Sequence, residues 1–290
     1  MVTGNHNLKI ELGKTGEKIS SIGIGTWQMK NNEQSVIAIK AGIESGSNFV
    51  DTAEAYRNEE TVGRAIQGMD VFIATKVFPN HFRYDKLIKA CDKSLKRLNV
   101  KTIDLYQLHW PNNHVDVKET MRAMEHLVDS GKIRYIGVSN FNVEELKNAM
   151  SAMSKYEIVS NQVEYNPMVR YIDSGISQFC RKNNISIIAY SPLMHGNDIE
   201  KISGDDSAFK IIADNKKSTI RQVILAWIIS KGYFAIPKSS VAEHVIENVR
   251  AMDINLSNDE ISMIDHYVSK FNKKSLKERY GYLISFASRF

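Results

Sequence analysis

Cysteine is scarce in this chain: 290 residues hold only Cys91 and Cys180. Two isolated thiols exclude a disulfide scaffold and a thiolate metal site, and they point to a reducing, cytoplasmic setting. Long apolar runs are missing as well. The longest, residues 223–229, is far shorter than the roughly 20 residues a membrane helix requires. Residues 1–10 lack the basic stretch and apolar segment of a secretory signal, so no membrane partner is expected. The net charge of +5 is small and its lysines and arginines are scattered. The basic stripe of a nucleic-acid-binding surface is therefore absent, and no nucleic-acid partner is expected. No G-x-G-x-x-G opens a helix after a strand, which removes the fingerprint of a Rossmann cofactor site. Gly137-Val138-Ser139-Asn140-Phe141 lacks the closing glycine of a nucleophile elbow. The histidines show no H-E-x-x-H spacing, and no metal is expected.

What is present is an alternation. Short β-branched runs at residues 22–25, 48–51, 71–76, 103–109, 133–139, 158–162, 185–190 and 233–237 are separated by segments with apolar residues at helical spacing. Such segments include residues 34–45, 84–98, 118–130 and 220–229. Eight strand–helix repeats predict an α/β fold closed as a (β/α)8 TIM barrel, with an open doubly wound sheet as the alternative. The length suits one barrel of about 250 residues plus additions, and residues 1–290 read as a single domain without a linker. Three additions are expected. Residues 8–11 and 18–20 flank Lys14-Thr15-Gly16-Glu17 as an N-terminal β-hairpin. An extra helix near residues 208–214 falls between the seventh and eighth strands. A tail rich in aromatic and basic residues follows the last helix, residues 258–270.

Chemistry in such a barrel gathers at the C-terminal ends of its strands. There the second strand ends at Asp51 with Tyr56 in the following loop, the third at Lys76 and the fourth at His109. Taken singly, each has a plainer reading: a turn cap, a packed phenol, a solvated ammonium, a satisfied imidazole. Jointly, one rim brings together a carboxylate, a phenol, an ammonium and an imidazole. A phenol is protonated at pH 7, and a neighbouring ammonium is expected to lower its pKa toward the working range. The carboxylate would hold the ammonium, and the imidazole could hydrogen-bond a substrate oxygen. The set suits protonation of an oxygen as negative charge builds on it, as in carbonyl reduction by hydride.

These residues and their surroundings resemble the aldo-keto reductase family, of aldose reductase-like, bacterial or archaeal type. The resemblance spans nearly the whole chain through Gly25-Thr26-Trp27, Asp51-Thr52-Ala53-Glu54-Ala55-Tyr56, Lys76, Leu108-His109-Trp110-Pro111, and Gly137-Val138-Ser139-Asn140-Phe141. It continues through Asn161-Gln162, Tyr190-Ser191-Pro192-Leu193, Ile236-Pro237-Lys238-Ser239 and Glu247-Asn248. It implies a catalytic tetrad of Asp51, Tyr56, Lys76 and His109, with Tyr56 as general acid in NADP(H)-dependent reduction of an aldehyde or ketone. It further implies cofactor contacts from Gly25, Thr26, Ser139, Asn140, Gln162, Tyr190, Ser191, Leu193, Lys238, Ser239, Glu247 and Asn248. Ser139, Asn140 and Gln162 would hold the nicotinamide carboxamide, Tyr190 would stack on its ring, and Lys238 with Ser239 would take the 2′-phosphate. Trp27, Phe78 and Trp110 would wall the pocket of a small-molecule carbonyl substrate.

Two positions depart from the family. His244 stands where the family has a phosphate-binding arginine, so NADPH preference should be weaker than usual and NAD(H) use becomes possible. Phe78 replaces a tryptophan found in many relatives. The tail aromatics Tyr280, Tyr282, Phe286 and Phe290 either cover the pocket or pack on the barrel. Relatives are often monomers, and a monomer or weak homo-oligomer is expected. Two other readings compete with the reductase: a catalytically weak, cofactor-binding regulatory subunit on the same barrel, and an aldolase using Lys76 as a Schiff-base lysine.

Overall fold

In the computed structural model, which describes residues 9–271, the apolar runs close into a barrel. Eight parallel strands follow one another around it: β3 (Ile24–Gly25), β4 (Phe49–Asp51), β5 (Phe72–Val77), β6 (Ile103–Leu108), β7 (Ile133–Ser139), β8 (Ile158–Glu164), β9 (Ser186–Tyr190) and β10 (Phe234–Ile236). Backbone hydrogen bonds from Gly23 N to Ala235 O (2.8 Å), Ala235 N to Ser21 O (2.8 Å) and Gly25 N to Pro237 O (3.0 Å) join the first barrel strand to the last. Closure removes the open-sheet alternative. Gly25 is required at this seam, because a Cβ there would lie 2.6 Å from the Ile236 carbonyl oxygen.

Helices cover the outside: α1 (Glu33–Glu44), α2 (Glu59–Ile66), α3 (Tyr84–Leu98), α4 (Val117–Asp129), α5 (Val143–Ser151), α6 (Ile176–Lys182), α7 (Ala208–Lys216), α8 (Ile220–Ser230), α9 (Ala242–Val249) and α10 (Asn258–Ser269). Capping boxes start three of them, at Asn142/Glu145, Thr219/Gln222 and Ser257/Glu260, where each reciprocal pair satisfies two backbone N–H groups that have no helical partner. The expected extra helix is α7. Its Phe209 meets the rings of Trp227 on α8 and Tyr267 on α10 edge-on.

Alternation along each strand divides the interior into layers. Phe49, Phe72 and Phe234 pack edge-to-face near the N-terminal end of the barrel. The expected hairpin, β1 (Lys9–Glu11) paired antiparallel with β2 (Lys18–Ser20), lies over that end. Its Leu12 and Ile19 are fully buried against the phenylalanines, each contributing about 1.5–3 kcal/mol of apolar burial. Gly13 N donates to Ser186 Oγ at 2.8 Å, and Arg134 pairs with both Glu17 and Asp104, fastening the hairpin to the sheet. Further along β4, β5 and β6 the inward positions turn polar. Leu8 of the expected hairpin and the tail aromatics Tyr280, Tyr282, Phe286 and Phe290 lie outside the described residues.

Candidate active site

The polar layer sits at the C-terminal end of the barrel. Asp51 ends β4 two residues after Phe49, Lys76 follows Phe72 and Ala74 on β5, and Gln107 follows Leu105 on β6, all facing inward. Lys76 is completely buried. An ammonium has three protons to donate, and each has an acceptor: Asp51 Oδ1 at 2.5 Å, Thr52 O at 2.8 Å and Tyr56 Oη at 3.4 Å. Asp51 Oδ2 accepts from Gln162 Nε2 at 2.8 Å and Gln107 Nε2 at 3.3 Å. Gly137 provides the room for this: a Cβ there would meet Ser160 Oγ at 2.5 Å and Gln107 Cγ at 2.9 Å.

Tyr56 lies on a single 3₁₀ turn (Glu54–Tyr56) between β4 and α2, half-buried at the rim. Its ring meets the His109 ring edge-on at 5.6 Å. Trp110 stacks on His109 from one direction and Phe78 meets it edge-on from another. The structure thus brings together all four tetrad residues and two of the three expected wall aromatics. The third, Trp27, sits on the neighbouring loop after β3, with its ring edge-on to His195 at 5.9 Å.

Protonation follows from this burial. Desolvation acts to lower the Lys76 pKa, but the Asp51 carboxylate and the Tyr56 oxygen carry it above the usual lysine value, so the group stays an ammonium. Charged, with its three protons engaged, Lys76 has no free lone pair for a Schiff base. His109 is held well below the usual imidazole range, by burial first and the Lys76 charge second, and is neutral at pH 7. Tyr56 corrects an expectation. Lys76 does pull its pKa down, but desolvation outweighs that pull and Asp51 adds to the rise, so the phenol titrates above its ordinary value. It is a firmly protonated donor rather than an acidified one.

The expected cofactor residues run along the same rim in strand order. Ser139 Oγ donates to Gln162 O at 2.9 Å, and Asn140 Nδ2 to Ser139 Oγ at 2.9 Å and to His109 O at 3.2 Å. Tyr190 Oη donates to Asn140 Oδ1 at 2.9 Å. Asn140 and Ser191 both adopt positive φ, and Leu193 is half-buried in the loop after β9. Lys238 is exposed beyond β10, with Ser239 half-buried beside it ahead of the α9 N-terminus and His244 exposed on α9. Glu247 accepts from the Thr219 hydroxyl at 2.6 Å, and Asn248 is buried. Thr26 is also buried, its hydroxyl donating to Asp51 O at 3.0 Å. An ammonium, a hydroxyl and a helix N-terminus after the last strand suit a phosphate. The half-buried tyrosine and buried amides suit a flat carboxamide-bearing ring, so the rim fits an extended dinucleotide. Thr52, Gln107, Glu54 and Asn58 also build the site without having been singled out from sequence. Glu54 Oε1 accepts from Phe78 N at 2.5 Å and lies 3.0 Å from His81 Nδ1.

A closed parallel barrel with a buried charged layer at its C-terminal rim defines a (β/α)8 enzyme. A model of the Aldo/keto reductase family matches residues 21–269. The chain is similar to the methylglyoxal reductase YeaE of Escherichia coli strain K12, at 35% identity over 257 residues covering 85% of this chain and 90% of that protein. It is similar to the same degree, 35% over 255 residues, to the glyoxal reductase of Bacillus subtilis strain 168, covering 86% and 89%. A solved aldo/keto reductase from Klebsiella pneumoniae, in complex with NADP and acetate, superposes with a TM-score of 0.82 at 34% identity over 92% of this chain and 98% of that one. The chain belongs to the aldo/keto reductase family. As a member it is an NADP(H)-dependent oxidoreductase that reduces carbonyl compounds.

Proposed function

We propose that Tyr56 protonates the carbonyl oxygen of a small aldehyde as that carbon is reduced. The observation that carries this reading is the placement of the Tyr56 hydroxyl at the rim, next to an ammonium whose other protons are engaged by Asp51 and Thr52. The bound nicotinamide supplies hydride. This chain supplies the proton and the field. As the oxygen gains negative charge, Tyr56 hands over its proton, and the adjacent Lys76 charge stabilises the phenolate left behind. Gln107, Gln162 and Asp51 keep that charge in place. Neutral His109 can serve only as a hydrogen-bond partner for the substrate oxygen. Its Nδ1 is buried without a partner, so placing the proton on Nε2 leaves a bare acceptor rather than a stranded N–H, and aims the donor at the substrate.

Ser139, Asn140, Gln162 and Tyr190 hold the nicotinamide end, and Lys238 and Ser239 the 2′-phosphate of NADPH. Gly25, Thr26, Ser191, Leu193, Glu247 and Asn248 complete the cradle. His244 makes the NADPH preference modest. Trp27, Phe78 and Trp110 wall the substrate. Small, reactive aldehydes of the methylglyoxal and glyoxal kind head the candidates, since two relatives are named for them. Two free, buried thiols suit a reducing compartment such as the cytoplasm.

NADPH oxidation with methylglyoxal, measured beside Tyr56→Phe, tests the reading. The variant keeps the ring and should bind NADPH with unchanged affinity while kcat falls about 10²–10⁴-fold. Retained turnover would remove Tyr56 from the proton's path.

A further inference from the structure

Asn58 occupies the N-cap position of α2, where an asparagine side chain ordinarily accepts from the first-turn backbone. It does not do so here. Its side chain is buried, with the residue only 1% exposed, and is directed to the neighbouring loop instead. Both amide protons are used there: Nδ2 donates to Thr26 O at 2.7 Å and to Met29 O at 3.3 Å, while Oδ1 accepts from the Thr52 hydroxyl at 3.0 Å. Thr26 and Met29 are the two ends of a tight turn closed by Met29 N to Thr26 O at 3.0 Å. The turn displays Trp27 and strains Gln28 into the left-handed region at φ 58°. A non-glycine residue holds that conformation only where its surroundings enforce it. Thr26 is also tied to Asp51 O and Met29 is packed in the core, but Asn58 is the side chain that grips both ends of the turn at once, from a position two residues beyond Tyr56.

We propose that Asn58 is a positioning residue that fixes the Trp27 wall relative to the Tyr56 proton donor and thereby sets the size of carbonyl the site accepts. The proposal rests on the reading of Tyr56 and Trp27 given above. Asn58 touches no reacting atom; it acts through the turn. A second tie from the same loop, Asn31 Nδ2 to Arg57 O at 2.8 Å, keeps the backbones together, so loss of Asn58 frees the turn rather than the whole loop.

The test compares methylglyoxal with a bulky aromatic aldehyde, 4-nitrobenzaldehyde. In Asn58→Ala, the ratio of the two KM values should shift by about tenfold, the worth of one or two lost hydrogen bonds at the turn, and should move more than the ratio of the two kcat values. Gln28→Gly, which accepts positive φ without strain, should restore the ratio when added to Asn58→Ala. In a Trp27→Ala background, Asn58→Ala should change the ratio no further. Should Asn58→Ala fail to fold, Asn58→Ser keeps a hydroxyl for Thr52 and is read the same way. A parallel loss of kcat for both aldehydes, or no rescue by Gln28→Gly, would make Asn58 merely structural and overturn the proposal. An unchanged ratio in Trp27→Ala would also overturn it, by removing the wall. That outcome is separate from the Tyr56→Phe result, which judges the proton donor alone.

Discussion

Lys76 and Asp51 meet at 2.5 Å with both side chains shut off from water, at 0% and 2% exposure. Neither charge has bulk solvent to fall back on. Removing either partner alone leaves the other buried and uncompensated, a loss of about 3–5 kcal/mol. Lys76→Met and Asp51→Asn should therefore each lower the urea midpoint substantially. The double variant should recover most of the stability and none of the turnover. Additive losses in the double variant would mean that the pair does not act as a unit.

The shifts at Tyr56 and His109 set the pH response of reduction. Tyr56, the proposed acid, titrates above its ordinary value, so its proton is present throughout the neutral range and is lost only as pH rises past that raised pKa. His109 titrates below its ordinary value and stays neutral. With saturating cofactor, kcat for reduction should be flat between about pH 6 and 9. An inflection inside that window would contradict the assigned states. Stability carries the opposite mark of His109: the unfolded chain takes up a proton there first. Stability should thus fall below about pH 6.5, by at most ~1.4 kcal/mol per unit. In His109→Gln this contribution should vanish from the difference between the two pH–stability curves.

His244 is exposed on α9, six positions after the exposed Lys238. An arginine at that position offers a permanent, two-pronged charge to a phosphate, where an imidazole has no such fork. His244→Arg should tighten NADPH about tenfold, one hydrogen-bond-sized increment, and leave NADH nearly unmoved. Cofactor titrations by fluorescence quenching decide it, and equal gains for both cofactors would place His244 away from the 2′-phosphate.

The barrel was legible in the sequence because each strand is a short β-branched run with a helix-forming segment after it, and a parallel sheet leaves few other ways to bury such runs. The gathering of Asp51, Tyr56, Lys76 and His109 at one rim was legible because Asp51, Lys76 and His109 each fall where a strand stops, and Tyr56 in the loop that follows one. Gln107 was hidden inside an apolar-looking run. Its clue was the alternation Leu105–Gln107, which points the amide into the barrel beside Lys76, its partner in the sheet register. Asn58 was hidden by its own suitability for a helix cap. Only the approach of the Trp27 turn shows a better use for the amide. The direction of the Tyr56 shift was beyond reach for a different reason. The ammonium's pull can be read from identity and spacing, but the depth of burial opposing it belongs to the assembled barrel.

The hairpin at residues 9–20 works as a stopper. With Leu12 and Ile19 seated on Phe49, Phe72 and Phe234, the lower mouth is plugged, and everything that enters or leaves the interior must cross the opposite lip. A chain shortened past Ser20 would carry its chemical residues intact yet open three aromatic rings to water at the base. The barrel would then fail from the end that does no chemistry.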